Sequence, residues 1–199
     1  LGGSIQTAIG NANPSGGDTI QLAAGTYTEQ ISVNKCVTIV GAGVGTTTIL
    51  SPATLANSTV PGSTAVRSIV EARSNSYVTV KDLTISGPVT FSAPSLTFGV
   101  YVAESATLNM RDTKVTAIHT SSGIDGVQDG QGIVAGSVTF NSIGFLDLDG
   151  VTVDDYQKNG IIVGRTGSNA IIKNTTVTGM GPTALIAQNG IQIGDGATA

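Results

Sequence analysis

The chain has 199 residues, nine Lys/Arg against thirteen Asp/Glu, one His and a net charge of −4. That length suits one domain with a sizeable core, yet only 11% of the residues are charged, well under the roughly 25% usual for globular proteins. The acidic balance leaves no basic stripe for nucleic acid and no polybasic patch for a membrane surface. No apolar run approaches the roughly 18 residues needed to span a bilayer.

In chain order, the first predicted element is a short helix in "SIQTAIGNAN" (4–13), where Ile5, Ala8, Ile9 and Ala12 recur at helical spacing behind Ser4, an N-cap residue. "DTIQLAAGTYTEQISVNKCVTIVGAG" (18–43) then supplies three strand-like runs. Cys36 is the only cysteine; no internal disulfide is available, and its apolar setting predicts a buried, inert thiol. The glycines of "GAGVG" (41–45) precede "TTTIL" instead of a helix start, which predicts a turn and not a dinucleotide loop. Residues 51–67 are polar, carry Pro52 and Pro61, and are expected to lie across a face.

From residue 78 the chain repeats itself. "VTVKDLTIS" (78–86), "LNMRDTKVT" (108–116), "LDLDGVTVD" (146–154) and "AIIKNTTVT" (170–178) align without gaps. So do "GVYVAE" (99–104), "GIVAGS" (132–137), "GIIVGR" (160–165) and "GIQIGD" (190–195), which alternate with the first set. The steps are 30, 38 and 24 residues in one set and 33, 28 and 30 in the other, the mark of a constant rung with variable loops. In the first set, Val80, Met110, Leu148 and Ile172 form one apolar column and Ile85, Val115, Val153 and Val177 another. Both are expected to face inward. Between them stand Asp82, Asp112, Gly150 and Asn174, residue types that tolerate a left-handed backbone, so a stacked bend is expected there. No helical stretch separates the strands, which disfavours a βαβ sheet. The fold class predicted is all-β: a right-handed parallel β-helix with a short N-terminal capping helix.

At this point the chain resembles the pectin-lyase-like superfamily of right-handed parallel β-helices. Thr19 to Gly43 is similar to the opening coil of the pectin-esterase-like and periplasmic copper-protein-like groups. The resemblance implies a fold and a range of activities that includes lyases, hydrolases and non-catalytic surface proteins. The Asn-Thr-Asp, Gly-His-Gly, Arg-x-Pro-x-x-Arg and Leu-Gly-Arg-Pro-Trp traces of its enzymes do not occur, and Trp is absent. The last rung, "NGIQIGDGATA" (189–199), breaks off where "NGIIVGRTGSNA" (159–170) continues. The expectation is one domain over 1–199 that is the N-terminal part of a longer solenoid.

The densest charge cluster is "VDDYQKNG" (153–160). By alignment Asp154 shares a column with Ser86, Thr116 and Thr178, and the connection that follows is short where those of other coils are long. The simpler reading is a tight solvated turn in which Lys158 offsets the carboxylates, an interaction of roughly 0–1 kcal/mol. The functional reading is a notch with Asp154, Asp155, Tyr156 and Lys158 at its floor and His119, Asp125 and Asp129 of the preceding loop on a wall. Candidate catalytic residues are therefore Asp154, Asp155, Lys158 and His119. Tyr156, Tyr101 and Gln192 are candidate substrate contacts, the last two from the outward column Tyr101, Val134, Ile162 and Gln192, for which cover by a loop or a neighbouring chain is also expected. "DGVQDGQG" (125–132) suits calcium through Asp125 and Asp129, but lacks the Glu of an EF-hand; no other cofactor is indicated.

Two functions follow from these residues. The first is a secreted, extracellular or periplasmic module, a rigid scaffold for glycan binding or self-association. The alternative is a lyase, hydrolase or esterase acting on acidic polysaccharide. Neither a nucleic-acid partner nor a membrane span is expected.

Overall fold

The structure, a computed structural model, describes residues 3–63 and 65–199. After helix α1 (Ile5–Asn11) the described chain winds through six coils, each contributing to three sheet faces. The first coil holds β1 (Asp18–Gln21), β2 (Gly25–Thr28) and β3 (Ile31–Val33); the second holds β4 (Val37–Val40), β5 (Thr47–Leu50) and β6 (Val66–Ala72). In the third and fourth coils one long strand bends to serve two faces. These are β7 (Tyr77–Ser86), followed by β8 (Leu96–Val102), and β9 (Ala106–Thr116), followed by β10 (Gln131–Ala135). The fifth coil is β11 (Gly144–Asp149), β12 (Thr152–Asp154) and β13 (Asn159–Val163), and the sixth is β14 (Asn169–Lys173), β15 (Thr176–Thr178) and β16 (Asn189–Ile193).

Every pairing between named strands is parallel, coil upon coil. The first face runs β1-β4-β7-β9-β11-β14, the second β2-β5-β7-β9-β12-β15 and the third β3-β6-β8-β10-β13-β16. This is a parallel β-helix, in the right-handed sense that parallel crossovers favour. The register matches the alignment residue for residue. Val80 pairs with Met110, Met110 with Leu148 and Leu148 with Ile172, while Ile85, Val115, Val153 and Val177 stack on the second face. All but the last-coil members, Ile172 and Val177, are buried, and each fully buried aliphatic side chain contributes about 2 kcal/mol of transfer free energy.

The bend between the first two faces is built as expected. Asp82, Asp112, Gly150 and Asn174 have φ of 58°, 46°, 69° and 45°, the left-handed region that short polar residues and glycine tolerate. Helix α1 closes the first coil with Ile5 and Ile9 buried. Ser4 accepts from the Thr7 N–H, and Glu29, from the first coil itself, accepts from the N–H groups of Ile5 at 3.0 Å and Gln6 at 3.2 Å. A carboxylate at a helix N-terminus meets both the orphan donors and the dipole.

On the third face, Ile31, Val70, Val100, Ile133 and Ile161 point inward, each fully buried. Its outward column is Ser32, Glu71, Tyr101, Val134, Ile162 and Gln192. Its middle positions, Glu71, Tyr101 and Val134, are covered. Val60 and Phe140 close over Val66, Phe98, Tyr101 and Val134 in a second apolar cluster outside the solenoid. One expectation needs correcting: Cys36 is half-buried, at a coil edge where its Sγ accepts from the Tyr77 N–H at 3.3 Å. Among the described residues no helix is long and apolar enough to cross a membrane.

Candidate functional site

The turn after β12 is a fastening point between coils. Asp155 takes a left-handed φ of 51°, which ends the strand. Its carbonyl accepts from the Ile118 N–H, Gln157 N–H donates to the Ile118 carbonyl, and Lys158 N–H donates to the Gly130 carbonyl. Both ends of the 118–130 loop are thereby tied to this four-residue turn.

The two adjacent carboxylates do not share a site. Asp154 points out from the second face, where the coil before it consumes both oxygens: Lys114 Nζ lies 2.8 Å from Oδ2 and Thr116 Oγ1 donates to Oδ1 at 2.5 Å. Asp155 turns the other way, and its half-exposed carboxylate lies 3.1 Å from His119 Nε2. The other ring nitrogen of His119 is 2.7 Å from the Thr120 carbonyl, so both nitrogens face oxygen atoms.

Three of the expected site residues are redirected. Lys158 does not offset the carboxylates; its Nζ donates 2.6 Å to the Ala187 carbonyl of the next coil's loop, because the stem follows the stacking direction. Tyr156 is not a surface contact, being 1% exposed with its ring turned into the solenoid; burial pushes its phenol above the ordinary range. Tyr101 is outward-facing yet wholly covered, with Ser63 Oγ 3.2 Å from its hydroxyl and the Phe98 ring 5.4 Å away. Gln192 is exposed at the far end of that column, three rungs from Tyr101, so the three candidate substrate contacts do not meet.

The proposed wall is likewise internal structure. Asp125 Oδ1 accepts from the Val127 N–H at 2.8 Å and from Gln157 Nε2 at 2.8 Å. Asp129 is 5% exposed; its Oδ1 accepts from the N–H groups of Thr97 and Gly130 at 2.8 and 2.7 Å. With its amide turned to donate, Gln131 adds a contact of 3.1 Å. Asp129 therefore stands in the protein, not on a wall, and the Asp125 oxygen offered to calcium is already engaged. Among the described residues no group of three or more His, Cys, Asp or Glu side chains is placed to hold a metal ion.

Gln157 is the residue that the sequence did not point to. It is fully buried, and its amide holds Asp125 and Val127 through Nε2 bonds of 2.7 Å to the Asp125 carbonyl and 3.2 Å to that of Val127. Its only sequence signal is a neutral polar residue set between Tyr156 and Lys158. Glu71, 4% exposed, was missed for a different reason. Its rung "IVEAR" (69–73) has Ile69 where the other rungs of that family carry Gly, so it escaped the alignment.

Asp129 carries a pH prediction. Desolvation raises its proton affinity above the ordinary carboxylate range, against the opposing hydrogen bonds of Thr97 and Gly130. Thr97 Oγ1 and Asp129 Oδ2 are both buried without a partner in hydrogen-bonding geometry, though the hydroxyl lies close enough to favour the charged form somewhat. A carboxyl whose folded value is raised contributes stability fully below the unfolded value, and that contribution is lost as pH rises through the folded value. Asp129→Asn removes this loss and gives Thr97 a donor. The expected result is a Tm above wild type at about pH 7.5 and no gain at about pH 4, read by thermal melts. A variant less stable than wild type at the higher pH contradicts it.

A cleft of about 590 Å³ lies elsewhere. It opens at the corner between the third and first faces and is lined by Pro61 and Gly62 of the covering loop, Phe140 to Ile143, Glu104 and Arg165.

Comparison with known proteins agrees with this architecture. No protein-family model matches the chain, and no curated protein matches it in sequence. Among solved structures, a pectin methylesterase variant determined in complex with a hexasaccharide is similar over 97% of this chain, with a TM-score of 0.51 and 13% identity. The shared fold is the parallel β-helix. The chain spans 63% of the length of that esterase. At this identity the likeness extends to the β-helix and to nothing finer.

Proposed function

We propose that this β-helix is a polysaccharide-binding scaffold of the extracellular or periplasmic space, binding its glycan without cleaving it. The observation that carries the reading is the fate of the carboxylates: Asp154 is bound at both oxygens by Lys114 and Thr116, and Lys158 is spent on the Ala187 carbonyl. Hydrolysis of a glycosidic bond by the usual glycosidase route needs two carboxyl groups flanking one scissile bond, and Asp154 and Asp155 face different neighbours. Six stacked rungs with a short side-chain repeat offer a rigid surface instead. That a similarly folded protein was solved with a hexasaccharide supports sugar as the ligand class.

The alternative, a polysaccharide-active enzyme, draws support from the half-exposed Asp155 carboxylate beside His119. One experiment separates them. Electrophoresis through gels containing polygalacturonate, with and without calcium, is run beside assays for new reducing ends, unsaturated products and released methanol. Retarded migration without turnover is the expected result. Turnover that disappears in Asp155→Ala would establish the enzyme reading, and migration unchanged by any glycan would overturn the scaffold reading.

A further inference from the structure

The corner after each third-face strand holds a column that the repeat alignment already brings together: Glu104, Ser137, Arg165 and Asp195 close the four "GI"-type rungs. Glu104, Arg165 and Asp195 have left-handed φ values of 49°, 77° and 55°, so the backbone turns sharply at each and leaves the side chain on the rim. Between Glu104 and Arg165 the intervening coil sends out its own loop, which places Phe140, Asn141 and Ser142 in the gap. Pro61 and Gly62 of the covering loop form the opposite wall.

The result is an amphipathic cleft. Phe140 and Val60, 7% and 1% exposed, lie at its base with Ile143 beside them. Glu104 stands at one end, held by Ser74 Oγ at 3.0 Å. Arg165 stands two coils away, about 10 Å along the axis at the usual strand spacing. No carboxylate among the described residues comes within ion-pair distance of Arg165, and Asp195, one rung further on, is outside the lining. Its volume is in the range of small-ligand sites, which combine apolar walls with a few convergent polar groups.

We propose that this cleft binds one uronate residue of an acidic polysaccharide, a reading that rests on the glycan-binding function above. Pro61 and Ile143, the lining apolar residues that keep accessible surface, take the C–H face of the sugar ring. Arg165 takes the carboxylate, a charge-assisted contact with the planar fork suited to it. Asn141 offers an amide and Glu104 an acceptor to ring hydroxyls, with Glu104 far enough from Arg165 not to repel the sugar carboxylate.

The test is calorimetric titration with oligogalacturonate and with its fully methyl-esterified form, on wild type and Arg165→Gln. The wild-type protein is expected to bind the acid at least tenfold more tightly than the ester, about the effect of one charged hydrogen-bonding partner. Arg165→Gln is expected to bind both equally, at the weaker affinity, with an unchanged thermal melt. If the variant binds the acid like wild type, or if wild type binds acid and ester alike, the cleft is not a uronate site although glycan binding stands. If wild type binds neither, both this assignment and the scaffold function fall.

Discussion

Gly132→Ala is expected to destabilise the fold by about 3 kcal/mol, the upper end of the usual overpacking range. Gly99, Gly132, Gly160 and Gly190 stack in one column within the third-face strands, where the chain passes close over the second-face valines. A Cβ on Gly132 would lie 2.5 Å from the Gly160 carbonyl oxygen and 2.7 Å from Val153 Cγ1. Neither can yield easily: one is backbone in the next rung and the other a fully buried side chain. Gly190 is the internal control, since its added methyl would meet nothing nearer than Val177 Cγ1 at 3.9 Å. Urea unfolding should therefore show a large loss for Gly132→Ala and little change for Gly190→Ala. Equal effects at the two positions would mean that the column answers to backbone preference and not to rung packing.

Glu71→Ala is expected to cost about 2 kcal/mol, because it leaves buried hydrogen-bonding groups without partners. Glu71 accepts from Ser58 of the covering loop and, at 2.9 Å, from Ser32 of the rung below. Arg73 Nε lies 3.6 Å from it and also donates to Ser32 Oγ at 2.9 Å. The loop has other ties, among them the paired Gln30 amide bonds to the Ala56 backbone at 3.0 and 2.7 Å. The variant should consequently stay folded while residues 51–63 open more often, exposing Tyr101 and Val134. Limited proteolysis reads this directly: faster cleavage within 51–63 is expected in Glu71→Ala, with the solenoid fragment intact. Cleavage at the wild-type rate would show that the carboxylate does not hold the loop down.

These two residues also show where sequence reasoning reached and where it stopped. The inward columns and the left-handed bend were legible, because each coil repeats the same period-2 alternation and the same tolerance for φ above zero. The alignment alone stacks Val80, Met110 and Leu148, and Asp82 with Asp112. The helix cap was half legible: Ser4 is local, whereas Glu29 reaches it from 25 residues away. The candidate site fared differently. Asp154 was placed in the correct column with Thr116, yet nothing in the string "VDDYQKNG" says that Lys114 and Thr116 from the rung before will take its oxygens. Parallel stacking makes such partners neighbours in space at loop-dependent separations in sequence. The same holds for Gln157 with Asp125, and for Lys158 with Ala187. Tyr101 was legible as outward-facing, and loop 51–67 as a cover, but the burial of the ring follows only once the two are joined.

The central claim is that Asp154 and Asp155 serve the stacking of coils and leave the sugar contact to the surface. Calorimetric titration of polygalacturonate into the Asp154→Ala, Asp155→Ala double variant tests it most directly, with circular dichroism to verify the β-helix. The expected result is the wild-type affinity with a modestly lowered Tm. A folded double variant that has lost binding, or that has lost a turnover present in the wild type, would contradict the claim and return the function to the 154–155 turn.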